Sequence, residues 1–252
     1  MISVIILTKN EEKNIEKCIK SVQFCDEAIV IDDNSEDKTV EMAKKSGAKV
    51  FSHSLDNDFA QQRNFGLEKA KGDWVLFVDA DERISDNLKL EIGHLALDIT
   101  PFNGFYLKRQ DIMWGKEIKH GEQGNIKLLR LAKKNAGKWQ RQVHEYWDIC
   151  GKTGELKNPL QHYPHQSLTE FMNDVNFYST LHAQQKFNDG EYSNLLHILL
   201  WPKLKFFKNW ILRAGFLDGT AGFVLTVMMS WHSFFAWSKL WIMGRRPPFR
   251  AT

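Results

Sequence analysis

The sequence predicts an α/β fold built on an open, mainly parallel sheet. Residues 2–7 are a continuous apolar run, as expected for a strand covered on both faces of a parallel sheet. Strand-like and helix-like segments then alternate as far as residue 78, which is the order found in open α/β sheets. Such sheets bind ligands beyond the carboxyl ends of their strands. Polar clusters follow three of the predicted strands, so the fold class also predicts where the site lies.

The individual elements follow from hydrophobic periodicity and from stop signals. In chain order, we predict strands at 2–7, 28–31, 49–51 and 74–78 and helices at 11–22, 37–46 and 59–70. Gly47 ends the second helix. Beyond residue 100 the pattern loosens into strand-like segments near 104–107 and 126–131, followed by a helix over 166–187. We expect an α/β domain over 1–190 and a helical tail over 191–252.

The composition is that of a folded globular protein, with 43% hydrophobic and 26% charged residues. The net charge of +3 does not indicate a nucleic-acid partner. Residues 201–252 nevertheless carry eight basic residues and one acid, so the preceding 200 residues are net negative. The three cysteines lack the number and spacing of a disulfide framework or a zinc site. The first residues do not resemble a signal peptide, and we expect the catalytic part to be intracellular.

Asp79 and Asp81 leave the strand at 74–78 and form a candidate metal site. Two carboxylates at a strand end can hold a hard divalent cation, with water and substrate phosphates completing its ligands. The cation would offset the charge that develops on a leaving diphosphate. The alternative is that Asp81 and Glu82 only cap the next helix.

Two other polar strand ends and one helix carry further candidates. A carboxylate in residues 32–35 could accept a hydrogen bond from a nucleotide base, although all four residues also favour turns. Residues 8–11 are equally ambiguous, because Thr8 or Asn10 could cap the following helix. Arg63 and Asn64 either lie on a solvated helix face, or Arg63 makes a charge-assisted contact with a diphosphate.

Together these segments resemble glycosyltransferase family 2, whose catalytic domain has the GT-A fold. The matching motifs are TKNEE (8–12), VIDDNSED (30–37), AQQRNFG (60–66) and GDWVLFVDADE (72–82), in the order and at the intervals usual for the family. The resemblance implies a nucleotide-sugar donor, most often a UDP-sugar, and Mg²⁺ or Mn²⁺ on its diphosphate. The resemblance also implies that Asp33 contacts the base and that Asp81, with Asp79, binds the metal. The residues implied around the nucleotide are Thr8, Asn10, Glu11, Arg63 and Asn64. Leu7 and Lys9 depart from the family, which commonly has a proline and an aromatic residue there.

The second half of the chain is similar to lipopolysaccharide core glycosyltransferases of the WaaE/KdtX type. The similarity rests on residues 125–151, on LQHYP (160–164) and on GFLDGTAGF (215–223). It implies transfer of a sugar, typically glucose, onto an inner-core heptose, with inversion at the anomeric carbon.

Glu145 is the expected acceptor-side base, because an inverting transfer needs a carboxylate that takes the proton of the acceptor hydroxyl. Asp111 and Glu122 are rival bases. His144 could be a third metal ligand, contact the diphosphate or orient Glu145, or it could be a buried structural histidine.

The roles of two pairs of basic residues remain open. For His162 and His165 we favour a loop with structural histidines over a metal site. Arg130 and Arg141 could serve either the diphosphate or acceptor phosphates.

The tail combines aromatic and basic residues. Residues 219–237 are apolar and near the length needed to cross a bilayer, but their two glycines, two serines and one histidine make them a marginal span. Five tryptophans accompany the basic residues of the tail, which is typical of segments lying in the membrane interface. We expect peripheral attachment to the cytoplasmic face of the inner membrane; the alternative is a helical hairpin that packs on the catalytic core or forms a homodimer.

The sequence therefore predicts a metal-dependent hexosyltransferase acting on a lipid-linked saccharide, with no nucleic-acid partner. A polyprenyl-phosphate glycosyltransferase shares the N-terminal motifs and is the alternative enzyme. A non-catalytic nucleotide-sugar binding module is disfavoured by the Asp-x-Asp and His-Glu pairs, because a binding module needs no acceptor base.

Overall fold

The structure is a computed structural model that describes residues 1–95, 99–124, 126–142 and 145–245. The chain forms two compact units, Met1–Gln110 with Ile126–Tyr163, and Asp111–Asn125 with Pro164–Thr252. Residues 164–190 thus belong to the second unit, together with the tail. The functional domain boundary near residue 190 stays a prediction.

The elements alternate as expected at the start of the chain and become strand-rich in its middle. In chain order they are β1 (Ile2–Thr8), α1 (Ile15–Ser21), β2 (Glu27–Asp32), α2 (Thr39–Lys45), β3 (Lys49–Ser52), α3 (Phe59–Lys69), β4 (Trp74–Asp79), β5 (Glu82–Ile84), α4 (Asp86–Gly93), β6 (Gly104–Met113), β7 (Lys116–Ile118), β8 (Lys127–Lys133), β9 (Gly137–Gln140), β10 (Tyr146–Ile149), β11 (Thr153–Glu155), β12 (Leu160–His162), α5 (Leu168–Asn188), α6 (Leu195–Phe207) and α7 (Gly219–Arg245). Short 3₁₀ turns at Lys134–Ala136 and Gly215–Asp218 and a π-helical turn at Lys208–Leu212 complete the set.

The main sheet of the first unit has the strand order β3-β2-β1-β4-β8-β6-β12-β5. The strands β1 to β4 pair in parallel, whereas β8 runs antiparallel to both of its neighbours, β4 and β6. The sheet is therefore parallel in its N-terminal half and mixed beyond it. The predicted α/β class is confirmed, and the open mixed sheet with flanking helices is the GT-A architecture that the resemblance implies.

The central strands are covered on both faces, as their unbroken apolar runs predict. Ile6 and Val78 lie in the core on one side of the sheet, and Ile5 and Phe77 lie in the core on the other side. All four side chains are fully buried. Neighbouring strands in parallel register bring their carboxyl ends to one edge, where Thr8 pairs with Asp32 and Leu7 pairs with Asp79.

Local signals fix one end of α3 and one end of α2. Asp58 caps α3, because its carboxylate accepts a hydrogen bond from the backbone N–H of Gln61 at 2.9 Å. Gly47 follows α2 with a φ of +89°, a conformation that favours glycine. The predicted stop at Gly47 is confirmed.

The second unit is organised around α7, against which α5 and α6 both pack. Its core consists of apolar residues from several elements, namely Met113, Ile118, Phe171, Val175, Leu225 and Met228. Among the described residues, no single helix combines the length and apolar composition needed to cross a bilayer. Only the bent pair Leu195–Leu212 and Gly215–Arg245, with 72° between its parts, meets that test jointly.

Candidate active site

The first two polar strand ends meet at the edge of the sheet. The backbone N–H of Asp33 donates to the carbonyl of Thr8 at 2.9 Å. Asn10 joins the two loops, because its N–H donates to Ser35 Oγ and its side-chain oxygen accepts from the N–H of Glu36, both at 2.8 Å. The structure therefore brings Thr8, Asn10 and Asp33 together, as a shared nucleotide pocket requires.

Asp33 is buried, and its carboxylate is held from two directions. Lys9 Nζ donates to one oxygen at 2.7 Å, and the N–H of Leu55 donates to the other at 2.9 Å. The Glu11 carboxylate instead accepts from Asn14 Nδ2 at 2.8 Å within its own turn. Asp33 thus has a fixed position, whereas Glu11 has a local structural partner.

Asp79 ends β4 between two arginines. Arg63 Nη2 donates to its Oδ1 at 3.2 Å, and Arg130 Nη2 donates to its Oδ2 at 2.6 Å. Burial raises the pKa of Asp79, but the Arg130 and Arg63 guanidiniums outweigh burial and hold that pKa well below its usual range. Asp79 is therefore an ionised carboxylate with both oxygens paired.

Glu82 supports this pair from a fully buried position. Its Oε1 accepts from Arg130 Nη2 at 2.9 Å, and its Oε2 accepts from the N–H of Asp79 at 2.8 Å. Burial raises the pKa of Glu82, with Arg130 opposing the effect. Sequence reasoning considered Glu82 only as a helix cap. Its role depends on β8, which carries Arg130 beside β4, and no local pattern reveals that neighbour.

Glu145 reaches the same cluster through Arg63. Arg63 Nε donates to Glu145 Oε1 at 3.0 Å, so one guanidinium bridges Glu145 and Asp79. The Arg63 side chain is buried, and its central carbon lies 4.7 Å from the Trp139 ring centre and 5.6 Å from that of Phe77. Two aromatic rings and two carboxylates therefore fix the orientation of Arg63.

The other residues predicted on the acceptor side do not share the position of Glu145 in the structure. His144 lies outside the described residues. Glu122 belongs to the second unit, where it accepts from Lys205 Nζ at 2.7 Å and from Asn209 Nδ2 at 3.4 Å. Asp111, also in that unit, is almost fully buried. Glu145 belongs to the first unit and shares Arg63 with Asp79.

Asp81 faces a histidine that sequence reasoning assigned to a structural loop. β5 and β12 pair antiparallel and set His162 opposite Glu82, which brings His162 Nε2 to 3.1 Å from Asp81 Oδ2. Burial raises the pKa of Asp81, but the charge of His162 and its hydrogen bond outweigh burial and lower that pKa. The pairing links residues far apart in the chain, so the sequence did not predict it.

The remaining basic candidates have structural partners. His165 Nδ1 lies 3.0 Å from Asp174 Oδ2, and its ring stacks on Phe171. The guanidinium of Arg141 lies 5.3 Å from the ring centre of Tyr146.

The residues at the Asp-x-Asp fit a divalent cation that also binds substrate phosphates. Among the described residues, no group of three or more His, Cys, Asp or Glu side chains is placed to hold a metal by itself. Both oxygens of Asp79 are paired with arginines, and His162 Nε2 pairs with one oxygen of Asp81. A cation held by Asp81 and His162 would therefore replace the pairing between these two side chains. Mg²⁺ is commonly held by one or two carboxylates together with substrate phosphates, and such a donor set meets that requirement.

Asn64 holds the β9 strand rather than facing Asp79. Its Nδ2 donates to the carbonyl of Trp139, and its Oδ1 accepts from the N–H of Trp139, both at 2.9 Å. Asn64 and Trp139 also line a cavity of about 450 Å³ between α3 and β9. None of the Asp79, Asp81 and Glu145 carboxylates lines this cavity, so its size does not identify the reaction centre. The nucleotide role of Asn64 stays a prediction.

Comparisons with known proteins identify the family of this chain. The model for "Glycosyl transferase family 2" matches residues 3–152. An uncharacterized glycosyltransferase of Rickettsia typhi is 31% identical, with 95% of this chain and 86% of that protein covered. A lipopolysaccharide core biosynthesis glycosyltransferase of Rhizobium meliloti is 24% identical, with coverages of 95% and 92%. The crystal structure of glucosyl-3-phosphoglycerate synthase from Mycobacterium tuberculosis with Mn²⁺ and UDP is 28% identical over 45% of this chain and 44% of that chain, with a TM-score of 0.36. The chain belongs to glycosyl transferase family 2 and is a glycosyltransferase.

Proposed function

We propose that this enzyme transfers a hexose, with glucose as the first candidate, from a UDP-sugar to a lipid-linked saccharide such as the inner-core heptose of lipopolysaccharide. The observation that carries the proposal is the bridge formed by Arg63 between Asp79 and Glu145. It joins a carboxylate at the diphosphate side to a carboxylate suited to the acceptor. A nucleotide-sugar binding module would need only the first of them.

The donor side uses the edge formed by β1, β2 and β4. Asp33 accepts the base N–H, while Thr8 and Asn10 line the nucleotide. Asp81 and His162 would hold Mg²⁺ or Mn²⁺, with Asp79 close by as a charged neighbour. A cation held there would supply positive charge that offsets the negative charge developing on the diphosphate leaving group.

The acceptor side uses Glu145 as general base. The acceptor hydroxyl oxygen attacks the anomeric carbon as the bond from that carbon to the diphosphate oxygen breaks, and Glu145 takes the hydroxyl proton. One displacement inverts the anomeric carbon and needs no covalent enzyme intermediate. Arg63 keeps the Glu145 carboxylate in one orientation, which limits the reorganisation required at the moment of reaction.

The acceptor is proposed to be presented at a membrane surface. The similarity to a lipopolysaccharide core biosynthesis enzyme supports a lipid-linked saccharide. The basic and aromatic composition of residues 201–252 supports peripheral attachment to an anionic membrane. On this proposal the enzyme works at the cytoplasmic face of the inner membrane.

Transfer of label between defined substrates tests the proposal. The protein is incubated with Mn²⁺, radiolabelled UDP-glucose and either a heptose-bearing core lipid or polyprenyl phosphate. We expect metal-dependent transfer of label to the core lipid and none to polyprenyl phosphate. Label on polyprenyl phosphate alone would establish the alternative enzyme.

A screen for the donor shows whether a failed transfer assay reflects the wrong donor or the wrong acceptor. Ligands that bind only the folded state raise its stability in proportion to ln(1 + [L]/Kd), so thermal unfolding with Mn²⁺ ranks a panel of nucleotide-sugars before the transfer assay. Failure of every stabilising donor to yield product with the core lipid would overturn the proposed acceptor.

A further inference from the structure

α6 exposes its apolar side chains. None of its thirteen residues, all of them described, is buried. Five leucines of α6 are 48–66% exposed, namely Leu195, Leu196, Leu199, Leu200 and Leu204. A surface helix of a globular protein normally turns its apolar stripe toward the core and its polar face toward water. α6 departs from that pattern.

Two polar side chains of this segment, Lys205 and Asn209, point inward. Lys205 Nζ donates to Glu122 Oε1 at 2.7 Å. Asn209, in the π-helical turn that follows α6, is only 2% exposed and accepts at Oδ1 from Arg213 Nη1 at 3.2 Å. These two side chains are therefore hydrogen-bonded inside the unit, while the leucines are exposed on its outside. Such an arrangement suits an apolar solvent.

α7 has a different role. It contributes Leu225, Met228, Ala236 and Leu240 to the buried interior of the second unit. Residues 219–237, which the sequence marked as a marginal membrane span, therefore form the helix on which α5 and α6 pack. α6 presents the more continuous apolar surface.

We propose that the outer face of α6 lies at the boundary between headgroups and acyl chains of an anionic bilayer. The inference rests on the proposed membrane-surface acceptor and identifies the element that makes the contact. A helix of thirteen residues is about 20 Å long, shorter than the roughly 30 Å hydrocarbon core, so α6 lies along the membrane. Exposed Lys203 and Lys208 sit among the leucines and match the negative charge of anionic headgroups.

Vesicle co-sedimentation of the full chain, without donor, tests this contact. The vesicles contain phosphatidylglycerol and phosphatidylcholine, and the variant combines Leu196→Glu with Leu200→Glu. We expect the wild type to sediment and the variant to partition at least about tenfold more weakly, because two apolar side chains are lost and two negative charges are added. The control is Leu90→Glu on α4, a leucine that is 58% exposed in the first unit. It should bind as the wild type does.

Two results would overturn the proposal. One is wild-type protein that stays in the supernatant with anionic vesicles at low salt. The other is a wild-type dimer, seen by light scattering, that the double variant splits while vesicle binding is unchanged; the outer face would then contact a second copy of the chain. Equal thermal unfolding of the wild type and the double variant shows that both fold.

A lipid-free core oligosaccharide separates this inference from the proposed function. The double variant should transfer sugar to this water-soluble acceptor at the wild-type rate. A wild type that binds vesicles but transfers nothing would count against the proposed function alone. A wild type that transfers sugar but ignores vesicles would count against the α6 contact alone.

Discussion

The two units treat charge and apolar surface in opposite ways. The first unit buries Arg63, Arg130 and Glu82 around Asp79, whereas the second unit exposes the leucines of α6. Buried ion pairs rarely add net stability, because desolvation offsets their attraction. Exposed leucines forgo the free energy of burial. Neither arrangement is explained by folding alone, and each fits a ligand, a diphosphate in one unit and a bilayer in the other. We therefore propose that buried charge in the first unit and exposed leucines in the second mark the functional surfaces of both units.

The largest expected effect comes from the acceptor side of the first unit. Glu145→Gln should lower kcat about 10²–10⁴-fold, because the amide cannot take the hydroxyl proton. Steady-state kinetics give kcat, and calorimetry should show a donor Kd within about twofold of the wild-type value. Asp148→Asn, an exposed carboxylate on β10, is the matched control and should leave kcat unchanged. A loss below tenfold in Glu145→Gln would place the base elsewhere.

Replacing the Asp79 carboxylate, which two arginines share, should lower the free energy of unfolding of the first unit. Asp79→Asn removes the carboxylate that two buried guanidiniums share, which leaves Arg63 paired with Glu145 and Arg130 paired with Glu82. We expect the free energy of unfolding to fall by about 3 kcal/mol. Urea unfolding in the absence of metal measures this loss. Asp73→Asn, a strongly exposed aspartate, should change stability by less than about 0.5 kcal/mol. Equal losses in both variants would mean that the buried cluster is not held together by Asp79.

The ion pair between Glu122 and Lys205 in the second unit should contribute less to the free energy of unfolding, and its contribution should depend on pH. Glu122→Gln should cost about 1.5 kcal/mol at neutral pH. Burial raises the pKa of Glu122, but Lys205 outweighs burial and lowers it in the folded state. The stabilisation is therefore full above the unfolded pKa of about 4.3 and is lost as pH falls through the lower folded value.

Urea unfolding of wild type and Glu122→Gln between pH 3 and 8 measures this difference. The difference between the two free energies should shrink as the pH falls below about 4.3. Glu117→Gln removes an exposed carboxylate that lies 3.3 Å from Lys119 in the same unit, and it should cost less than about 0.5 kcal/mol. A difference between wild type and Glu122→Gln that grows toward acid pH would contradict the assignment.

The smallest expected effect comes from two exposed lysines, Lys203 on α6 and Lys208 at the start of the following turn. Lys203→Gln and Lys208→Gln should each weaken binding to anionic vesicles about fivefold, since a suitably placed cation contributes about 1 kcal/mol. Binding to neutral vesicles should not change, and added salt should reduce the difference. Lys20→Gln on α1 is the control. Equal losses on neutral and anionic vesicles would show that charge is not the cause.

Local sequence patterns sufficed for the parallel half of the sheet. The apolar runs and Gly47 predicted β1, β2, β4 and the end of α2, because two-sided burial and a positive φ leave clear local signals. Parallel register then required the strand ends at Thr8, Asp33 and Asp79 to meet. That part of the candidate site follows from topology and was predicted.

Contacts formed by the antiparallel half could not be predicted in the same way. His162 meets Asp81 only because β12 pairs with β5, and Arg130 meets Asp79 only because β8 lies beside β4. Strand order is not encoded in local periodicity. For α6 the sequence shows where leucines lie but not which face the rest of the unit covers. The sequence therefore could not predict that Lys205 points inward, because its partner Glu122 is distant in the chain.

The most direct test of the account is the affinity of UDP for wild type and Asp81→Ala, measured by calorimetry with and without Mn²⁺. Asp81 pairs with His162 at the cluster's edge, and thermal unfolding should show that the variant retains its fold. We predict that Mn²⁺ strengthens UDP binding to the wild type at least about tenfold, because the cation joins Asp81 to the diphosphate. In Asp81→Ala this gain should vanish, and the affinity should equal that of the metal-free wild type. A folded Asp81→Ala protein that keeps the full Mn²⁺-dependent gain would contradict the account.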